Sequence, residues 1–264
     1  MQFMTCHQLQ MEIPNAVGKW SRWAEQLQQP EDLYSNRFAE INDHLAAIRA
    51  EIKLDGVISP AILAAKLLSV DEQFIHWKED LPKPWSYSAY EVPNFGVNLS
   101  FVWRLRYDIY RDLWVATVWN SYRYVRLIIH ETIIKAIFAQ RSDDHQDLLE
   151  ASAIALREIA NDVCFSVPHL LGYCSQDGQY TQDGHQVQPG SLPIPGGYTL
   201  IWPLFLSAML RTTSRAQREW AAGILRHIGV TMGLKLAMSM GTTLTRHNKM
   251  FCDGQTWLNR DSYP

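Results

Sequence analysis

With 264 residues, 47% hydrophobic and 19% charged, the chain has enough apolar material to bury a full core, which excludes an intrinsically disordered protein. The formal net charge is −3 and the basic residues are scattered, so no electrostatic footprint for phosphate backbones is present and direct nucleic-acid binding is not expected. Four dispersed cysteines, Cys6, Cys164, Cys174 and Cys252, make no CxxC pair; no signal-peptide pattern is present, and no apolar run approaches the roughly 20 residues that cross a bilayer. The expectation is a soluble intracellular protein with reduced thiols, in the nucleus or cytoplasm, without membrane contact.

Residues 1–30 read as a weakly patterned lead-in, anchored by Trp20, Trp23 and a few other apolar residues and punctuated by Pro14 and Pro30. From Glu31 to Ile52, the series Phe38, Ile41, Leu45, Ile48, Ile52 steps by three and four and predicts an amphipathic helix closed by Gly56. Ser59 and Pro60 then supply an N-cap hydroxyl and a first-turn proline. The second helix carries Leu63, Leu67, Val70, Phe74, Trp77 and Leu81 on one face and ends before Pro82 and Pro84. These two helices are expected to pair antiparallel. Residues 82–100 hold prolines and aromatics without a period and read as a packed loop.

The stretch from Trp103 to Ile137 is the one around which the chain is organised. Val115, Val118, Tyr122, Val125, Ile129, Ile133 and Ala136 recur at helical spacing, which predicts a long central helix from about Arg111 to Phe138. Off that stripe, Trp114, Trp119, Asn120 and Arg123 can share one wall, either a polar joint in a bundle or the side of a pocket. A polar break at 141–147, with Ser142 as a cap, precedes a helix bearing Leu149, Ala153, Leu156, Ala160 and Val163. Pro168 to Gly197 contains too many glycines and prolines for regular structure and reads as a long loop. Helix resumes at Gly196-Gly197-Tyr198, with Pro203 as a kink, and Trp220, Ile224, Ile228 and Met232 mark another, where Gly229 and Gly233 allow close approach or a bend. Residues 241–264 read as a polar tail. No period-two strand and no internal repeat is visible, so the expectation is an all-α, irregular helical bundle around the central helix, with one domain over 31–240.

Several patches carry a family resemblance. Asp112-Leu113-Trp114 with Ala116, Trp119-Asn120 and Tyr122-Arg123; Ser166-Val167-Pro168 with Leu171-Gly172; Gly196-Gly197-Tyr198 with Trp202-Pro203-Leu204; and Trp220 with Leu225, Ile228-Gly229 and Met232-Gly233 resemble the C-terminal regulatory half of fungal zinc-cluster transcription factors. The resemblance covers about residues 60–240. It implies a helical domain that regulates an activator, whereas the DNA reader of that family is a separate cluster of six cysteines holding two zinc ions. This sequence has four dispersed cysteines and departs from the family there.

No residue pattern in the sequence assigns a catalytic role. His130-Glu131 opens like a zinc-protease motif, but Ile134 stands where the second histidine is needed. There is no nucleophile elbow, Walker loop or dinucleotide fingerprint; Gly196-Gly197 reads as a turn. His169 lies between Cys164 and Cys174 in sequence, with no orienting partner identifiable, and Asp108 and Asp112 can pair with Arg104 and Arg111. No metal and no cofactor is expected. Two functions remain open: a stand-alone regulatory or effector-binding domain acting through a small molecule or protein partner, or a cofactor-independent cyclase or pericyclase of fungal secondary metabolism. The latter could work by positioning and polarisation alone, without an acid/base signature. In either case the expected ligand wall is Trp114, Trp119, Asn120 and Arg123 facing Tyr198 and Trp202 across an apolar cleft.

Overall fold

The computed structural model describes residues 32–55, 59–92, 99–140, 145–174 and 196–248. The lead-in, Gly56, Ser142, the middle of the 166–197 loop and the end of the tail lie outside these residues. The fold is all-α, mostly helical, with a single two-stranded sheet among the described residues. By contacts the chain divides into two units: the described residues up to Leu81 with Lys135–Gln140, and those of Pro82–Ile134 with everything after Gln140.

In the first unit, α1 (Asp32–Asp55) and α2 (Pro60–Glu79) form an antiparallel pair. Their direction follows from which ends meet. Arg37 near the start of α1 pairs with Asp80 after α2 at 2.8 Å, and Glu51 late in α1 pairs with Lys66 early in α2 at 2.7 Å. These are surface pairs and contribute little. Burial of Leu45, Leu67, Phe74 and Trp77 does more, and the Trp77 indole N–H is satisfied by the Tyr34 carbonyl at 2.8 Å. Ser59 occupies the N-cap position of α2, but its hydroxyl makes no capping bond there. Pro60 at the first helical position suffices to start the helix because its missing N–H would have had no intrahelical acceptor.

The second unit is organised by α3 (Leu113–Gln140). Val115, Val118, Tyr122, Val125, Ile129 and Ile133 of the expected stripe are all buried, and Ala136, beyond this unit, is half-buried. Burial extends well past that stripe, to Tyr124, Leu127, Ile128 and Ile134, so the later turns are covered nearly all round. Helix α4 (Gln146–Phe165) begins after His145, not at Ser142, and His145 makes no side-chain cap. A one-turn helix α5 (Val167–Leu170) follows, inside the stretch expected to be irregular. Helix α6 (Gly196–Met209) runs through Pro203, which is buried within it.

Helices α7 (Arg215–Thr231) and α8 (Lys235–His247) pack closely. A Cβ on Gly229 would lie 2.8 Å from the Met238 backbone nitrogen, and Gly233, at φ +68°, makes the bend between the helices. The expected tail from 241 is corrected in part: it remains helical to His247, with Gly241 and Leu244 buried. Ala237, Met240, Gly241 and Leu244 do form a helical stripe. Two of the four are so small that the pattern reads as polar. At the α6–α7 corner the buried Arg218 donates to the carbonyls of Ala208 at 3.0 Å, Leu210 at 3.2 Å and Thr213 at 3.0 Å, and to Asn248 Oδ1 at 3.1 Å, tying the end of α6 to the turn that follows it.

Residues 82–100 are corrected more sharply. Tyr87–Glu91 forms β1, paired antiparallel with β2 (Arg106–Tyr110) in the register Tyr87 to Tyr110 and Glu91 to Arg106. Successive side chains of β2 point to opposite faces, and both faces are covered. Tyr107 and Ile109 join Val92, Val102 and Cys174 in an apolar cluster. Asp108 and Tyr110 lie on the opposite face, towards α3. A strand buried on both sides loses the alternation that betrays a strand in sequence. Among the described residues no helix is long and apolar enough to cross a membrane.

Candidate functional site

The polar centre of the second unit is Arg123, 1% exposed. It lies one turn along α3 from Asn120, so the two side chains share a face. One Nη1 bond goes to the Tyr110 hydroxyl at 2.6 Å and another to Asn120 Oδ1 at 3.0 Å; Nη2 donates to Asp108 Oδ2 at 3.3 Å. Strand β2 supplies both Asp108 and Tyr110 because they are two residues apart and therefore on one face. The Asn120 amide donates to Ser166 Oγ at 2.9 Å, and that hydroxyl donates to the Val163 carbonyl at 2.7 Å. The joint thus locks strand β2, helix α3 and the α4–α5 junction together.

Aromatic faces enclose the guanidinium. Its carbon lies 5.3 Å from the Tyr87 ring centroid and 5.7 Å from those of Tyr110 and Trp119. Trp119 is buried, and its indole N–H donates to the Trp85 carbonyl at 2.7 Å. Burial pushes the Tyr110 phenol well above its ordinary range and also raises the Tyr87 phenol and the Asp108 carboxyl, whose shift is opposed by Arg123 and Arg106. Desolvation would lower Arg123, but the surrounding phenols and carboxylates outweigh it and hold the guanidinium charged. The joint is therefore a charged group held by nearby acceptors, each with a structural task.

Of the six expected wall residues, Trp119, Asn120 and Arg123 belong to this joint. Trp114 is 59% exposed and Tyr198 is 40% exposed, while Trp202 is half-buried with its ring 6.4 Å from that of Phe205. The two elements do meet: the Thr117 and Thr199 hydroxyl oxygens lie 3.4 Å apart, while each donates its proton within its own helix, to the carbonyls of Leu113 at 2.7 Å and Gly196 at 2.9 Å. Trp114 is one turn from Thr117 on α3 and Trp202 one turn from Thr199 on α6, so these two aromatics share the faces that meet, whereas Tyr198, next to Thr199 in sequence, diverges around the helix. The start of α6 is fixed by a close approach, because a Cβ on Gly196 would collide with the Leu170 carbonyl oxygen.

The other candidates have ordinary surroundings. Asp112 caps α3, its Oδ1 accepting from the Val115 N–H at 2.8 Å, and it pairs with Arg111 at 2.8 Å. Asp108 pairs with Arg106 and Arg123 rather than Arg104. Cys164 and Cys174 are buried thiols, and burial pushes both up to about 12, far from a reactive thiolate. Cys164 accepts from the Gln217 amide at 3.4 Å. His169 packs edge-on to Tyr110 with ring centroids 5.3 Å apart and hydrogen-bonds the Asp112 backbone; burial lowers its pKa despite that bond. Among the described residues no group of three His, Cys, Asp or Glu side chains is placed to hold a metal ion.

Sequence reasoning missed the partners of Arg123. Asp108 and Tyr110 stand in a strand that carries no strand signal in sequence, and Ser166 follows the end of the α4 pattern with no mark of a partner on α3. The two-residue spacing of Asp108 and Tyr110 was the available clue. Comparison with family models, with curated proteins and with solved structures finds no match for this chain.

Proposed function

We propose that this chain is a regulatory, effector-binding helical domain of the kind found in the C-terminal half of fungal zinc-cluster transcription factors. It acts in the nucleus or cytoplasm through a small-molecule or protein partner, without contacting nucleic acid or membrane itself. The observation that carries this reading is the convergence of the patches that bear the resemblance. Asn120 bonds Ser166, and Gly197 packs against the Leu171 side chain and the Met232 thioether, so stretches far apart in sequence touch in one unit.

The distribution of polar chemistry favours regulation over catalysis. Asn120 and Arg123, the groups that would polarise a substrate, are engaged with Ser166, Tyr110 and Asp108. Trp114 and Trp202 border the Thr117–Thr199 contact instead and, with the exposed Tyr198, supply the surface for the partner. The test is to fuse the chain to a heterologous zinc-cluster DNA reader and measure a reporter in a fungal host. A regulatory domain changes output severalfold relative to the reader alone, and Trp114→Ala with Tyr198→Ala removes the change. Reporter output equal to that of the reader alone, with turnover of a metabolite by the purified protein, would replace this reading with the cyclase one.

A further inference from the structure

The first unit holds a helix whose polarity does not match its surroundings. Over residues 60–70, α2 buries Leu63, Ala64, Leu67 and Val70, as its pairing with α1 requires. The opposite side of a paired surface helix normally carries charge. Here it carries Ala61, Ile62, Ala65, Leu68 and Ser69, all exposed, with Ile62 at 57% and Leu68 at 37%. Lys66 is the one charged residue in that stretch, and it turns back to pair with Glu51 of α1 at 2.7 Å. A helix that is apolar all round is a buried helix, yet one side of this one faces water over about three turns.

The arrangement of the stripe says what fits it. Ala65 stands at its centre. Ile62 and Leu68 lie at equal distances before and after it and lean to opposite flanks, and Ala61 and Ser69 lie one turn before and after it. Turned end for end about Ala65, the stripe offers the same outline: Ile62 comes level with Leu68, and Ala61 with Ser69. A two-fold contact needs a surface of this kind, because each copy must offer what the other receives. Alanine at the centre lets two helices approach closely.

Charge fixes the direction. The same face continues into Glu72, His76 and Glu79, all exposed. Parallel helices would set these acidic ends against each other. Antiparallel helices separate them and bring Glu72 of one copy level with the start of α2 in the other. At that start the Ser59 hydroxyl makes no capping bond and the first turn has no acidic residue, so the positive end of the helix dipole has no carboxylate of its own.

We propose that this face of α2 is the two-fold interface between two copies of this chain, packed as an antiparallel helix pair centred on Ala65, with Glu72 of each copy at the start of α2 in the other. The inference uses no residue of the regulatory reading and stands or falls apart from it.

The test is the mass of the whole chain, measured by sedimentation equilibrium over a range of concentrations. The wild type rises from the mass of one chain to that of two. Ala65→Glu sets two like charges together at the two-fold axis and stays a single chain. At concentrations where both are single chains it melts with the wild type, because the position is exposed and both residues favour helix. An equimolar mixture of Ala65→Glu and Ala65→Lys regains the double mass. Ile62→Lys and Leu68→Glu each weaken association about tenfold alone, and together in one chain they restore it, since antiparallel packing sets them opposite each other. Glu72→Gln weakens it about two- to fivefold. A wild type that keeps the mass of one chain throughout overturns the interface, as does a dimer that survives Ala65→Glu. A lower melting temperature of single-chain Ala65→Glu overturns it too, because the stripe is then covered within its own chain. Loss of the dimer in the Ile62→Lys, Leu68→Glu chain overturns the antiparallel direction, and an undiminished dimer in Glu72→Gln overturns the contact at the helix start.

Discussion

Trp114 and Trp119 stand on the same helix, yet one is 59% exposed and the other 6%. The region around Trp119 is a closed joint: Arg123, Asp108, Tyr110, Asn120 and Ser166 satisfy one another, and the indole N–H has a backbone acceptor. The region around Trp114 borders a single weak contact between Thr117 and Thr199. Aromatic and polar residues clustered on one helix therefore serve two purposes that composition does not separate. Hydrogen-bond satisfaction separates them, since a joint fixes its own geometry and an edge leaves its apolar surface for something else.

Mutation at the joint gives the largest effect. Arg123→Met removes the charge but leaves Asp108 buried, where only Arg106 remains to pair with it. Breaking one side of a buried ion pair costs about 3–5 kcal/mol, and that loss should appear in urea unfolding. Asp108→Asn combined with Arg123→Met should recover part of it, because no uncompensated charge is then buried. If Arg123→Met unfolds at the wild-type midpoint, the joint is not what holds β2 to α3. Trp119→Phe comes next. It keeps most of the apolar contact and leaves the Trp85 carbonyl without its donor, for an expected loss of about 1–3 kcal/mol.

The sequence made part of this legible. The long central helix, the α1–α2 pair and the helical class all follow from spacing, because one face of each element is apolar and the rest is not. Strand β2 was hidden by burial on both faces, and α8 by a stripe in which Ala237 and Gly241 do the packing. The site was legible as a list of side chains and not as an arrangement. Trp114 and Trp119 differ in what covers them, and the cover comes from Trp85, from β2 and from Ser166, none of which carries a mark in sequence that points to α3. Arg218 is a similar case: besides Asn248 Oδ1, its partners are backbone carbonyls, which every sequence has.

The start of α3, ahead of both tryptophans, gives a smaller, pH-dependent effect. Desolvation would raise Asp112, but the hydrogen bonds from the Val115 N–H and the Arg111 side chain, with the Arg111 charge, together outweigh it and hold its pKa below the ordinary 3.8. A carboxyl depressed in the folded state adds stability above its unfolded value and loses it as pH falls through the folded one. The wild type should therefore lose part of its advantage over Asp112→Ala, about 1 kcal/mol for a cap, as pH is lowered from neutral through 4 towards 2. Asp112→Asn retains the capping acceptor and should show little of that pH dependence. A wild-type advantage that is constant across the range would mean that the side chain contributes through something other than its charge.

The smallest effect on stability falls at the edge, where the largest effect on function is expected. Trp114 is mostly in water, so its truncation removes little buried area and creates no cavity; Trp114→Ala should change stability by less than about 1 kcal/mol, against the 3–5 kcal/mol typical of a buried tryptophan. Tyr198→Ala should be similarly mild, because its ring is 40% exposed and the start of α6 is set by Gly196 against Leu170. Thr117→Val probes the seam between them: it deletes the hydroxyl contact to Thr199 while keeping shape, and should cost no more than about 1 kcal/mol. Together these variants separate packing from partner binding. If Trp114→Ala and Tyr198→Ala melt with the wild type and lose the regulatory output of the fused chain, the edge is a contact surface; if Trp114→Ala instead unfolds as readily as Trp119→Ala, the exposed indole is part of the core and both regions are one joint.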